Sequence, residues 1–365
     1  MRINRRGFMK SLGSAAVLAT LTPLSGCLKG ENKENEENMV KITDAFGREV
    51  EIPEKVDEIV GVGAGALRLI TYIKCTDRVV GVEQFEKDDP SNRLYIHSNP
   101  ELLDKPSIGP QHGGAPSLIL EQDPDLVIKT NSTAKDCNTL QSNTGIPVVG
   151  VGYGDLTRTK NRLYNNLEFM GKILDKRERA NEVIQYIKDT ISGLEDRTKD
   201  IPEEEKPTAY IGGVNFKGSY GIRGTELAYA PFKFINAKNV AKGQGKEHIQ
   251  VYKEKILQWD PDYLFVDEGG YNLVMENLRQ PEFQDLTAIK EGNVYAVLPQ
   301  SYYHHMHATV LSNSYYIGKI IYPDRFEDID IKQKSNQIFE KLVGKPVYHE
   351  IKQDFGGYKK IKKPY

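Results

Sequence analysis

The chain has 365 residues, 39% of them apolar and 27% charged, and 49 Lys and Arg against 51 Asp and Glu give a formal net charge of −2. Single domains usually hold about 100–200 residues, so this length predicts two lobes. Balanced charge with no basic stripe to displace counterions excludes nucleic acid as a partner.

Residues 1–26 read as a targeting signal. Arg5-Arg6 is followed by Phe8 and Lys10, then by an apolar run over residues 12–24 that ends in Leu24-Ser25-Gly26-Cys27. The paired arginines resemble a twin-arginine export signal, which a receptor reads and whose cargo crosses already folded. The apolar run is shorter than the roughly 20 residues of a spanning helix. Its small-small-Cys end resembles a lipobox, in which Cys27 is acylated and becomes the new N-terminus. Residues 27–40 are then a disordered tether, almost wholly charged and amide beyond Leu28 and without apolar periodicity. No later apolar run approaches spanning length, so the expected location is the outer face of the cell membrane, held by lipid.

The body alternates short β-branched runs with helical patterns. Glu58-Ile59-Val60-Gly61-Val62, Val79-Val80-Gly81-Val82, Leu126-Val127-Ile128 and Pro147-Val148-Val149-Gly150-Val151 fall in the first half. Thr208-Ala209-Tyr210-Ile211-Gly212, Tyr263-Leu264-Phe265-Val266 and Val294-Tyr295-Ala296-Val297 fall in the second. Such alternation predicts βαβ units and mostly parallel sheets. Asp123-Pro124-Asp125-Leu126 and Asp260-Pro261-Asp262-Tyr263 each follow a helix-like stretch and precede a strand, so the two halves share one turn. Between them, Leu163, Leu167, Met170 and Leu174 mark one apolar stripe, and residues 180–194 carry a second. One helix over residues 156–176 would reach about 30 Å, with its corner at Asp175-Lys176-Arg177-Glu178. The expected divisions are a first α/β lobe at 41–155, a linking helix at 156–178, a second lobe at 179–323 and an extension at 324–365. Cys75 and Cys137 either pair or remain as two buried thiols.

Several of these stretches, in this order, resemble the class III substrate-binding proteins of ABC importers, which capture ferric siderophores, haem and vitamin B12. The stretches are Ile42-Thr43-Asp44-Ala45-Phe46-Gly47-Arg48-Glu49-Val50-Glu51-Ile52-Pro53, Asp77-Arg78-Val79-Val80-Gly81-Val82, Pro124-Asp125-Leu126-Val127-Ile128, Gly145-Ile146-Pro147-Val148, residues 166–174, and Gly292-Asn293-Val294-Tyr295. The resemblance covers most of residues 41–323. It implies two doubly wound lobes joined by one long rigid helix, with the cargo in the cleft and little hinge closure. It implies a permease and its ATPase as partners, a metal chelate, haem or corrinoid as cargo rather than cofactor, and a monomer without enzymatic activity. The family docks through one glutamate on each lobe. Counting back from the Asp-Pro turns puts the second-lobe position at Glu254. The first-lobe position falls on Ser117, with Glu121 one helical turn on as the nearby carboxylate.

In open α/β sheets the loops after the strands' carboxyl ends line the ligand site. They offer Phe85, His112, Asn131 and Tyr153 from the first lobe, and Phe216, Tyr220, Arg223 and Tyr271 from the second, with Tyr302, Tyr303, His304, His305 and His307. Three of the seven histidines fall within four positions there. They serve either as metal ligands or as hydrogen-bond donors to an organic cargo. Arg223 is either a clamp for anionic groups or a surface ion pair. The basic end at Lys359-Lys360-Ile361-Lys362-Lys363 lies near anionic lipid or is a solvated terminus. Two rival functions are a ligand-sensing lipoprotein and an exported metal-dependent enzyme using the histidines. Against the enzyme, the chain lacks His-Glu-x-x-His, Gly-x-Ser-x-Gly and a phosphate loop.

Overall fold

The computed structural model of the protein describes residues 38–88, 91–243 and 248–362. The export signal, Cys27 and the tether up to residue 37 lie outside the described residues. The hairpin of β1 (Met39–Thr43) and β2 (Glu49–Pro53) begins two residues inside the stretch whose composition predicts a tether. Its turn explains the Asp44-to-Arg48 motif. One oxygen of the buried Asp44 carboxylate accepts the N–H groups of Phe46 and Arg48, at 2.9 and 3.0 Å. The other accepts Gly150 N–H and the Arg48 guanidinium, both at 2.9 Å, which pins the hairpin to the end of β6 (Val148–Gly150).

The first sheet holds β3 (Ile59–Val62), β4 (Val79–Gly81), β5 (Leu126–Lys129) and β6, all parallel, in the order β4-β3-β5-β6. In the second half come β7 (Thr208–Gly212), β8 (Gly224–Glu226), β9 (Lys238–Asn239), β10 (His248–Gln250), β11 (Tyr263–Asp267), β12 (Val294–Val297) and β13 (Lys359–Lys360). The second sheet runs β9-β7-β11-β12-β13, parallel except for β13, and β8 pairs with β10 apart from it. The first four strands of both sheets follow one winding order, second, first, third, fourth.

The shared Asp-Pro-Asp turn does the same mechanical task twice. Asp123 and Asp260 end seven-residue helices, Pro116–Gln122 and Lys253–Trp259, in left-handed backbone. Asp125 then accepts the N–H groups of Asp57 and Glu58 just ahead of β3, and Asp262 accepts that of Thr208 at the start of β7. Each third strand is thereby clipped to the first strand of its own sheet.

The expected linking helix is present but shorter than residues 156–176, and a second helix begins at the expected corner. Lys160–Ile173 is one helix, residues 174–176 turn with Asp175 at φ 52, and the longer Arg177–Asp196 follows, 20 residues and about 30 Å. The charge run sits at the corner as its composition predicts. Residues 156–159 stay non-helical because Asp155 accepts the N–H groups of Thr157 and Thr159.

Alternate residues of each strand face different cores. Leu126 and Ile128 of β5 join an inner core that continues through Ala209, Ile211 and Phe265 of the second sheet and the helices between them. Val127 joins a separate outer core of the first lobe, and Leu264 and Val266 an outer core of the second. Cys75 belongs to the inner core and Cys137 to the outer one, so the first sheet lies between them. Both are free thiols, and burial raises both above the usual thiol range.

The segment from residue 324 to residue 362 is built into the body of the protein. Helices Ile331–Val343 and Tyr348–Phe355 pack into the inner core, and β13 closes the second sheet antiparallel to β12. Asp354 reaches the first lobe, accepting from His97 and from Asn92 N–H at 2.7 Å each. No helix among the described residues is long and apolar enough to cross a membrane.

Candidate ligand-binding site

The loop between β12 and the helix His307–Ile321 meets the first lobe at the seam between the two sheets. It is tight: Tyr302 N–H donates to the His304 carbonyl at 3.1 Å, Met306 N–H to that of Gln300 at 2.8 Å, and Ser301 bridges His305. Closing it puts two side-chain-bearing residues in positive φ, Tyr303 at 47° and His304 at 89°.

Arg68 holds this loop from the other side. It is 3% exposed and is the single charge of the apolar helix Ala66–Tyr72 after β3. Its guanidinium donates to the carbonyls of Tyr302 (2.8 Å), His305 (2.9 Å) and Tyr303 (3.4 Å), and to the Tyr153 hydroxyl (2.8 Å). Tyr153 donates in turn to the His305 carbonyl at 2.7 Å. Gly65 is what lets Tyr153 in: it sits at φ 86, and a Cβ there would fall 2.2 Å from the tyrosine ring.

The three clustered histidines have separate roles. His307 is 1% exposed, and its Nε2–H donates to the Gly154 carbonyl at 2.7 Å, leaving Nδ1 to accept from Tyr72 at 3.4 Å. It is a neutral core residue whose pKa burial pushes down to about 3, and the expectation that it lines the cleft is corrected accordingly. His304 lies against the Tyr153 ring, centroids 3.8 Å apart, and its Nδ1 accepts the His305 N–H at 2.9 Å, so the proton resides on Nε2. Burial first, then His305 and Arg68, lower its pKa to about 2. The His305 ring lies 6.0 Å from that of His304 and 5.9 Å from that of His248 on β10. His248, lowered by burial to about 4, stacks at 4.4 Å on Phe216, itself 49% exposed, and its buried Nδ1 has no hydrogen-bond partner. No group of three His, Cys, Asp or Glu among the described residues could hold a metal ion. Burial lowers the pKa of all four histidines and keeps them neutral, so they present N–H and N groups.

Phe85, Tyr302 and Tyr303 form an aromatic flank between the lobes. Phe85 stacks 6.3 Å from Tyr302 and 4.4 Å from Tyr303, with the Arg93 guanidinium 4.3 Å above its ring. Tyr303 donates to Glu83 at 2.6 Å, a carboxyl that burial raises to about 7, and accepts His112 N–H at 3.3 Å. His112 and Asn131 line a neighbouring cavity of about 290 Å³ with Lys129 and Ser132. Arg223 donates its Nε to the Val251 carbonyl at 3.0 Å, and Lys359 covers Tyr271 at 4.6 Å, so neither joins the histidines. Tyr220 is 38% exposed on its own turn. The seam residues that loop position alone misses are Arg68 and His248. A lone charge in an apolar helix is the signal for the first, and the second sits on a three-residue edge strand that carries none.

This is the seam of a two-lobed binding protein, and the profile of the periplasmic binding protein family matches residues 59–301. The chain belongs to that family, as a class III substrate-binding protein, and is thus an extracytoplasmic solute-binding protein of an ABC importer and not an enzyme. Among curated proteins it is 24% identical over 324 residues to the molybdate-binding protein MolA of Haemophilus influenzae, covering 82% of this chain and 90% of that one. The structure of that MolA with molybdate superimposes with a TM-score of 0.66 at 22% identity, covering 83% of this chain and 98% of that one. A periplasmic solute-binding protein of Veillonella parvula gives 0.69 at 20% identity, with 87% and 97% covered. Helicobacter pylori CeuE with Ni(II) bound gives 0.60 at 19%, with 86% and 99% covered.

Proposed function

We propose that this protein captures a small, oxygen-rich metal complex at the seam and delivers it to a permease. The observation that carries the reading is the convergence there of His248, His304, His305 and Tyr153 from both lobes, with the buried His248 Nδ1 unpartnered. Neutral imidazole N–H and phenol groups suit metal-bound oxygen, whether oxo, carboxylate or catecholate, through hydrogen bonds rather than direct ligation. Molybdate in the MolA relative is one such cargo, and a ferric chelate is another; haem and corrinoids are the larger alternatives. Cys27 supplies the lipid anchor in this reading. Native mass spectrometry and the visible spectrum of protein purified from its own host test it. An oxyanion mass or a ferric-catecholate band is expected, and a Soret band or corrinoid spectrum refutes it.

Glu254 and Glu121 are the proposed docking carboxylates. Both are exposed, on the equivalent helices Lys253–Trp259 and Pro116–Gln122. Glu254→Ala should lower uptake into cells severalfold while leaving the dissociation constant for cargo unchanged, since one interfacial charge pair is worth at most a few kcal/mol. A tenfold loss of cargo affinity would instead place Glu254 in the binding site.

A further inference from the structure

Buried charges are stable in a fold when a counter-ion meets them. Three other well-buried arginines of this chain follow the rule: Arg48 pairs with Asp44 at 2.9 Å, Arg93 with Glu86 at 3.2 Å and Arg179 with Glu182 at 2.8 Å. Arg68 departs from it. It is 3% exposed, yet no carboxylate among the described residues lies within ion-pair distance. Its acceptors are three carbonyls and one phenol, all neutral. Glu86, which also acts on this guanidinium at longer range, is already engaged by Arg93 and the Tyr95 hydroxyl. Asp155, the carboxylate that the histidines feel, accepts the backbone N–H groups of Thr157 and Thr159.

All three carbonyls come from residues 302–305, the segment that holds two side-chain-bearing residues at positive φ. Each such residue costs roughly 1–2 kcal/mol. The loop is therefore kept in an unfavourable backbone by neutral dipoles standing where the guanidinium would prefer a negative charge. An anionic oxygen reaching Arg68 would gain a charge-assisted, bidentate partner and relieve the backbone at once.

We propose that Arg68 is the charge-selecting residue of the site: the cargo is anionic, and its anionic oxygen displaces the carbonyls of residues 302–305 from the guanidinium. This rests on the seam being the cargo site. It adds the sign of the cargo's charge and a defined movement of the loop, and it applies equally to a tetrahedral oxyanion and to an anionic ferric chelate.

Four probes separate these possibilities by calorimetric titration: sodium molybdate, ferric tris-catecholate, nickel(II) chloride and cyanocobalamin. Each is titrated into wild type, Arg68→Gln, Arg68→Lys and the double variant His304→Ala with Tyr153→Phe. At least one anionic probe is expected to bind wild type. Arg68→Gln should weaken it about 30-fold, near 2 kcal/mol, and Arg68→Lys, which keeps the charge, by less than tenfold. Molybdate binding alone identifies the oxyanion, and catecholate binding alone the chelate. Thermal midpoints of the cargo-free variants separate loss of affinity from loss of fold. Equal anion affinity in wild type and Arg68→Gln, or binding of the nickel or cobalamin probe alone, overturns the proposal. In those cases the seam reading stands if the double variant loses affinity and falls if it does not. Binding of none of the four counts against both.

Discussion

Replacing His304 and His307 together by Gln is expected to shift the stability difference from wild type by about 4 kcal/mol in the variant's favour between pH 7 and pH 5. Both imidazoles have folded pKa values lowered by burial, to about 2 and about 3, against about 6.5 in the unfolded chain. Below pH 6.5 the unfolded chain binds protons that the folded chain does not, so wild-type stability falls with pH through this window. The loss is about 1.4 kcal/mol per pH unit per imidazole until the folded values are reached. Raised carboxyls act in the opposite sense. Glu83 and Asp267, near 7, and Glu268, near 8, bind protons in the folded chain first and stabilise it as pH falls. Their contribution cancels between wild type and variant, which is why the difference and not the absolute curve is diagnostic. Urea unfolding of both proteins at four pH values measures it. Parallel curves would mean that the histidines are protonated in the folded chain.

With the cargo at the proposed seam site, the same cluster sets the expected pH dependence of binding. An anion near His304, His305 and His248 raises their pKa values, so its affinity should grow on acidification. Arg68, Asp155 and the tyrosines 72 and 153 face the cluster and hold constant charge over this range. A metal ion bound directly by imidazoles would show the reverse dependence.

Truncation after Phe355 should have a still larger effect, melting the outer edge of the second sheet. It removes the Ile361 N–H bond to the Val294 carbonyl at 2.8 Å and exposes β12, every residue of which is buried. It also removes Tyr358, whose ring stacks 4.3 Å from Tyr316 and whose hydroxyl donates to Ser312 at 2.6 Å or Asn313 at 2.9 Å. Glu268 would lose Lys359, at 3.2 Å, and the Gly357 N–H, at 2.9 Å. Tyr358→Ala alone should cost about 3–5 kcal/mol, as for other large aromatic truncations. Hydrogen exchange reads the result, with protection expected to fall first in β12 and β11. Unchanged protection there would make the segment a dispensable appendage.

Strand runs of β-branched residues located both sheets, because a strand buried on both faces has little choice of composition. The Asp-Pro-Asp repeat was legible for a related reason: a carboxylate that clips one strand to another occupies a fixed place in sequence. The histidine cluster was legible as a group but not in its division of labour. The Gly154 carbonyl that claims His307 lies 153 residues away. Arg223 and Tyr271 illustrate the same limit. Their loops follow strands as expected, but Val251 and Lys359 engage them, and neither partner is local. The antiparallel β13 is two lysines long and carries no strand signature; only the neighbouring sheet makes it one.

The position of β13 also bears on the order of events in the cell. A ribosome releases the first lobe's strands long before residues 359–360, so the second sheet stays open-edged until nearly the whole chain has emerged. The latch from Asp354 to His97 likewise forms only then. Vectorial threading of such a chain through a membrane would present an unfinished sheet edge to every other strand in the compartment. An export route that waits for folding would avoid that exposure.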